Sequence, residues 1–412
     1  MSNIEKLIKE LCPDGVEYKE LKSVFEMRNG YTPSKAKAEF WEGGTIPWFR
    51  MEDIRENGNI LSDSAQHITP AAVKGKLFPA NSIIVATSAT IGEHALITVE
   101  SLANQRFTYL VRRPEYEEKL DPKFVYYYCY KLDEWCLNNT NISSFPSVDM
   151  AKFAKFKIPI PPLPVQREIV RVLDNFTELT AELTAELTAR KKQYEYYRDT
   201  LLTFGVHRGG TFETKWRTLA EIADIGTGSS NTNEAVEDGK YPFFVRSQEP
   251  LRKNDYEYDE TAIITAGDGV GVGKVYHYVE GKYALHQRAY RIHIVAPDVL
   301  PRFFFYYMKA KFLPYIQKNV FQGSVSSIRR PMLNAFPVPV PDVELQERIV
   351  NVLDNFDAIC SDLNIGLPAE IEARKKQYEY YRDMLLTFAA ADDIILTDRQ
   401  TDRQTDRQTD RQ

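Results

Sequence analysis

The eleven residues ARKKQYEYYRD at Ala189–Asp199 return letter for letter at Ala373–Asp383. The match runs on to Phe204 and Phe388 with one difference, Thr200 against Met384, in sixteen positions. Such a chain is built twice on one plan, and the repeat has to be placed before any other element. The duplication is wider than this stretch. VQREIVRVLDNF (Val165–Phe176) recurs as LQERIVNVLDNF (Leu345–Phe356), and FKIPIPPLP (Phe156–Pro164) is echoed by FPVPVPDVE (Phe336–Glu344). Fainter echoes pair SIIVATSATIGEHALI with AIITAGDGVGVGKVYH, NQRFTYLV with HQRAYRIH, and KFVYYYCYK with RFFFYYMKA. The order is the same in both halves: globular unit, proline stop, helix.

From Gln166 to Phe204, the residues Ile169, Leu173, Phe176, Leu183, Leu187, Tyr194, Tyr197 and Leu201 fall mostly on alternating three- and four-residue spacings, the seam of a coiled coil, with Thr180 and Arg190 as imperfect seam positions. The proline run Pro159–Pro164 fixes where this helix starts. At ~1.5 Å per residue it spans roughly 58 Å, more than one domain needs for its own core. In the second copy Ile365-Gly366-Leu367-Pro368 should break the helix into two, about 346–364 and 368–390, with the glycine as C-terminal cap and the proline in the next first turn. The two seams are expected to pack antiparallel, giving a pseudo-twofold object; the alternative is that each helix covers only its own domain. β-rich runs at Ser82–Thr87, Phe107–Val111, Ala262–Thr265 and Tyr290–Val295, separated by Gly, Asn and Pro turns, make the globular units mixed α+β.

Inside the first helix Thr-Ala-Glu-Leu occurs twice in tandem, at Thr180–Leu183 and Thr184–Leu187. It is a good helix-forming surface stretch. Each further copy would lengthen the helix by ~6 Å and rotate its far end by ~400°, one full turn plus ~40°. One base pair of B-DNA turns by about 35°. A protein spanning two DNA half-sites would change its reach by about one base pair per copy. The tail Thr397–Gln412, four copies of TDRQ, has no apolar face and is expected to be disordered. Coded as ACA GAC AGA CAG it would be a tetranucleotide tract that slips in replication, which suggests phase variation.

Several function classes are disfavoured. A net charge of -6 and a pI near 5.7 argue against gripping nucleic acid by bulk electrostatics, so any DNA role uses local patches or a partner. Neither a signal-peptide stretch nor an apolar run of about 18 residues occurs, so a cytoplasmic protein is expected. Cys12, Cys129, Cys136 and Cys360 form no CxxC pair and are expected to be reduced packing residues. GDGVGVGK (Gly267–Lys274) departs from the phosphate-loop pattern at Asp268 and Val275 and from GxGxxG at Val272, so it reads as a tight turn between strands. No catalytic or metal-ligating constellation is legible.

The proline-bounded IPIPPLPVQREIVRVLDNF followed by ARKKQYEYYRDTLLTF, duplicated, with tandem Thr-Ala-Glu-Leu between, resembles the specificity (S) subunit of type I restriction-modification enzymes, in particular the IC class. The resemblance covers essentially the whole chain except the TDRQ tail. It implies an α+β fold: two mixed α/β target-recognition domains joined by long helices packed as an antiparallel coiled coil. The implied boundaries are 1–157 and 206–337 for the domains, 158–205 and 338–390 for the spacers, and 391–412 for the tail. It further implies that the first domain reads one half of a bipartite double-stranded DNA target and the second the other, while the helices set the gap. The S subunit itself is implied to be non-catalytic and without cofactor. Two modification subunits would bring S-adenosylmethionine and adenine-N6 methylation, and two restriction subunits ATP, Mg and cleavage.

For base contact the side chains able to make bidentate bonds on loops beside the expected strands are the candidates. They are Arg50, Ser88, Thr90, Asn104, Gln105 and Arg106 in the first unit, and Arg246, Ser247, Gln248, His286, Gln287 and Arg288 in the second. Lys152, Lys155, Lys157 and Arg329-Arg330 are candidates for phosphate. Tyr194, Tyr197, Tyr378 and Tyr381 are expected to anchor partner subunits, or else to fill the coiled-coil seam. The rival from another class is a non-enzymatic coiled-coil scaffold whose globular units bind proteins.

Overall fold

Tertiary packing divides this chain inside its repeats. In the computed structural model, which describes residues 3–141, 146–204, 214–319, 327–362 and 365–389, one unit is Met1–Ala181 with Ala373–Gln412 and the other is Glu182–Glu372. The expected TDRQ tail lies outside the described residues.

In unit 1 the main sheet runs Phe25–Asn29, Phe107–Arg112, Ser82–Ala86, His94–Ile97, Ile60–Leu61. Ser82–Ala86 and His94–Ile97 are buried at every position, as a strand covered on both faces requires. A smaller sheet orders His67–Ile68, Ile46–Phe49 and Leu102–Ala103. Helix α1, Pro122–Asn138, begins where the Asp121 carboxylate accepts the amides of Lys123 and Phe124, with Pro122 in the first position. Unit 2 has a six-stranded sheet ordered Ala223–Thr227, Ala289–Ile294, Tyr258–Ala266, Tyr276–Leu285, Tyr241–Phe244, Leu251–Lys253. The four runs named from sequence all fall on strands, three of them matching to within a residue at their ends and Ala262–Thr265 covering the second part of Tyr258–Ala266.

Helix α2 is unbroken from Leu163 to Leu201. It starts three residues before Gln166 because Pro164 sits in the first turn, where its missing N–H costs nothing. In unit 2 lies α3, Pro301–Asn319; α4 is Val343–Ser361 and α5 is Leu367–Leu385. The break between α4 and α5 is where the sequence places it, and Pro368 is in the first turn of α5. Gly366 has another role than the expected cap. Its φ is not left-handed, but a Cβ there would meet the Ala358 carbonyl oxygen at 2.5 Å, so close approach is what needs glycine.

Each unit takes its last core residues from the repeat that comes after the other unit's domain. Leu385 and Leu386 complete the core around α1, and Phe388 meets Phe124 at 6.3 Å. Leu202 completes the core around α3, and Phe204 meets Phe303 at 6.0 Å. Leu202 and Leu386 are each 1% exposed, and a leucine buried this way contributes about 1.5–3 kcal/mol. The polar contacts repeat too. Lys131 Nζ donates to Thr387 Oγ1 at 3.4 Å and Lys311 Nζ to Thr203 Oγ1 at 3.0 Å. This explains why sixteen residues are kept twice: each copy closes an equivalent core.

Each unit has a ring pair on its helices: Phe176 stacks on Tyr381 at 5.4 Å in unit 1, and Tyr197 stacks on Phe356 at 5.7 Å in unit 2. Two buried glutamines brace the helix starts. Gln166 accepts the Asp121 amide (2.8 Å) and donates to the carbonyls of Lys119 (2.8 Å) and Pro161 (2.6 Å). Gln346 does the same with Leu300 (2.9 Å), Asp298 (2.8 Å) and Pro341 (2.8 Å).

Candidate nucleic-acid interface

The two sets of candidate residues sit on loop clusters built to one scheme. In unit 1 the turn Asn104-Gln105-Arg106 joins Leu102–Ala103 to Phe107–Arg112. The Asn104 side chain accepts the Arg106 amide at 3.0 Å, the Asn104 amide bonds the Phe49 carbonyl at 3.0 Å, and the Arg106 carbonyl accepts the Thr87 amide at 3.0 Å. In unit 2 His286-Gln287-Arg288 repeats this. His286 Nδ1 accepts the Arg288 amide at 3.0 Å, the His286 amide bonds the Phe244 carbonyl at 2.9 Å, and the Arg288 carbonyl accepts the Gly267 amide at 2.9 Å.

The first member of each triplet therefore shapes the turn. His286 is 4% exposed and its Nδ1 is held by the Arg288 amide, which corrects its expected place as a base reader. Burial, then the charge of Arg246, holds its pKa below the ordinary 6.5 and so keeps it neutral at pH 7. The second and third members, Gln105 and Arg106, Gln287 and Arg288, are exposed. Both glutamines are steadied from a neighbouring loop that sequence reading missed. Thr32 Oγ1 donates to Gln105 Oε1 and Gln287 Nε2 to Asn231 Oδ1, each at 2.5 Å. Those loops pass so close to the turn that only glycine fits: a Cβ on Gly30 would lie 2.1 Å from the Ala103 carbonyl oxygen, and one on Gly228 1.8 Å from that of Leu285.

The second wall of each cluster is the hairpin loop after a central strand. Ser88 bridges to Ser147 and Asp268 to Ser327. Among the described residues Thr90 Oγ1 is buried and has no hydrogen-bond partner. Arg50 is half-buried and lines a cleft of about 350 Å³ with Thr32, Lys35, Asn104, Gln105 and Arg106. Arg246 donates to Asp268 at 2.6 Å, and Ser247 and Gln248 are exposed, bonding the carbonyls of Glu249 (2.6 Å) and Lys274 (3.0 Å). GDGVGVGK is the turn between two strands, with Val270 at its tip 96% exposed.

Lys152, Lys155 and Lys157 are exposed; Arg330 is exposed but donates to the Ile225 carbonyl at 2.5 Å. Of the four tyrosines expected to dock partners, Tyr194 and Tyr378 pack partly buried on the two cores, and Tyr197 and Tyr381 stack on Phe356 and Phe176. They serve the chain's own packing. The repeat's outward rings are Tyr196 and Tyr380, 67% and 66% exposed. All four cysteines are buried, with burial pushing the Cys136 thiol up to about 12. Among the described residues no group of His, Cys, Asp and Glu is set to hold a metal, and no helix is long and apolar enough to cross a membrane.

Residues 13–190 and 213–373 each match the family described as type I restriction modification DNA specificity domain. Over 386 residues the chain is 44% identical to the specificity subunit of the Escherichia coli restriction enzyme EcoprrI, covering 88% of this chain and 92% of that one. It is 34% identical over 309 residues to the Escherichia coli EcoR124I/EcoR124II specificity subunit, covering 66% and 72%. Among solved structures, a chain from a type I restriction-modification complex superposes with a TM-score of 0.63 at 17% identity, covering 90% of this chain and 97% of that one. The S subunit from M. genitalium does so with a TM-score of 0.52 at 16% identity, covering 90% and 95%.

Proposed function

This chain belongs to the type I restriction-modification DNA specificity family, and from that premise we propose that each unit reads one half of a bipartite double-stranded DNA site. The observation that carries the reading is the repeated turn. Two copies of one hydrogen-bond scheme present a Gln-Arg pair outward beside a cleft, and these side chains make bidentate contacts to adenine and guanine edges. A protein-binding scaffold gives no reason to preserve that scheme twice.

The chain selects the site and holds register; the methyl transfer and cleavage belong to partner subunits. Two modification subunits supply S-adenosylmethionine and two restriction subunits ATP and Mg. Base reading needs few positive charges when partners supply the phosphate grip, which accommodates the net charge of -6. Helix α2 sets the gap, because it runs unbroken through both Thr-Ala-Glu-Leu copies. The exposed Tyr196 and Tyr380, rather than the four buried or stacked tyrosines, face partner subunits.

The test is methylome sequencing of a host without other type I systems, carrying this gene with its modification-subunit gene, against the same host lacking this gene. A two-part motif with methylated adenines and a fixed gap is expected. A modification subunit that is active with another S subunit, yet yields no new motif with this one, overturns the reading.

A further inference from the structure

One difference between the two clusters concerns an arginine. Ser88 in unit 1 and Asp268 in unit 2 hold the same place, each bridged to a serine, Ser147 or Ser327. In unit 2 the Asp268 carboxylate joins two guanidiniums. Its Oδ1 accepts from Arg246 Nη1 at 2.6 Å and its Oδ2 from Arg288 Nη1 at 3.2 Å. Asp268 also stands in the wall of two clefts, one of about 520 Å³ with Arg246, Ser247 and Val270, and one of about 270 Å³ with Gln287, Arg288 and Tyr290.

We propose that Asp268 is a positioning residue that holds Arg288 to read a guanine in the half-site of unit 2. The inference rests on the DNA-reading function above and adds the base and the residue. Four features support it. Both carboxylate oxygens are engaged, so Asp268 is a brace rather than an acceptor for a cytosine amino group. Among the described residues one nitrogen of Arg288 is engaged, by Asp268, which leaves the other donors of its fork for guanine O6 and N7. Arg288 is 61% exposed while Asp268 is 26% exposed, so the fork and not the carboxylate faces outward. Burial pushes the Asp268 carboxyl up, but its bond to Arg246 and the charges of both arginines outweigh that and hold it below the ordinary 3.8, ionised at any pH where the protein works.

An arginine fixed in advance loses less conformational freedom on binding. Arg106, the counterpart in unit 1, is exposed with Ser88 in place of the carboxylate, so this brace belongs to one half-site alone. Around it the loop is pinned: Lys253 Nζ donates to Ser230 Oγ at 2.8 Å and to Glu234 at 2.7 Å, and Ser230 Oγ donates to Glu257 at 2.5 Å.

The experiment uses the full chain assembled with its modification subunit, competing duplexes that differ from the wild-type site at single positions. Arg288→Lys keeps the charge and loses the fork; it is expected to lower the preference for guanine at one position roughly 5- to 150-fold, the worth of one bidentate contact. Asp268→Asn is expected to lower it at the same position by about 2- to 12-fold, the cost of immobilising one rotamer-rich side chain. Asp268→Glu should restore part of it. The other half-site keeps its preferences throughout. Asp268→Asn also leaves non-specific binding equal or tighter, because the patch loses a negative charge; a general structural lesion would weaken both. Wild-type preference at every position in both variants, or equal loss in both half-sites, overturns the inference while the DNA-reading role stands. A wild-type complex that selects no bipartite site overturns both.

Discussion

Replacing Gln166 by methionine keeps length and volume while removing every polar bond the side chain makes. Gln166 is 0% exposed. Its loss leaves the Asp121 amide and the Lys119 and Pro161 carbonyls without their partner at the start of α1 and α2. Each buried backbone group left unpaired costs about 1–3 kcal/mol. Taking the low end for three groups, unit 1 loses roughly 3 kcal/mol, a rise of about 150-fold in its opening constant. Native-state hydrogen exchange measured by mass spectrometry reads this by segment. Protection should fall in peptides covering 119–138 and 161–176, while those covering 298–316 hold. Gln346→Met should give the mirror result. A loss under about 1 kcal/mol, or an equal loss in both units from either variant, would refute the claim that the two glutamines are separate braces of equivalent cores.

Inserting one more Thr-Ala-Glu-Leu after Leu187 lengthens α2 by ~6 Å and should widen the methylated gap by about one base pair with both half-sites unchanged, read by methylome sequencing. An unchanged gap would sink the ruler. Gly228→Val places side-chain atoms against the Leu285 carbonyl, where even a Cβ would come within 1.8 Å; reading by unit 2 should be lost while duplex competition shows the other half-site still selected. His277 is held below the ordinary 6.5 chiefly by burial, partly offset by its bond to the Ser247 carbonyl. As pH falls through 6.5 the unfolded chain takes up the proton first, so unit 2 loses stability toward acid. Denaturant unfolding between pH 7.5 and 5.5 should show that fall, and His277→Gln should flatten it; a slope unchanged by the substitution contradicts the assignment.

Much of the fold is legible in the sequence because periodicity and duplication are local signals. The seam from Ile169 to Leu201, the helix break near Gly366 and the four strands follow from spacing and turn residues alone. Which core each copy of the repeat enters is not legible. Leu202 and Leu386 sit in identical sequence surroundings, and only tertiary packing sends Leu386 back to the N-terminal domain. The candidate site is half legible. Gln105, Arg106, Gln287 and Arg288 are outward, as their types suggest. His286 and Asn104 mislead because a polar side chain that caps its own turn reads the same as one that greets a ligand. In sequence Asp268 stands out only as a break in a phosphate-loop pattern. The signal that marks its place is its alignment with Ser88 in the duplicated strands. Tyr196 and Tyr380 are hidden because one residue separates the seam from the surface on a helix.

If each unit reads one half of the site, the two halves should be exchangeable independently. Replacing residues 206–337 of this chain with the aligned segment of the EcoprrI specificity subunit, then sequencing the methylome with the same modification subunit, tests it directly. A motif in which one half changes, the other half stays, and the gap is kept is expected. A motif altered in both halves would contradict it.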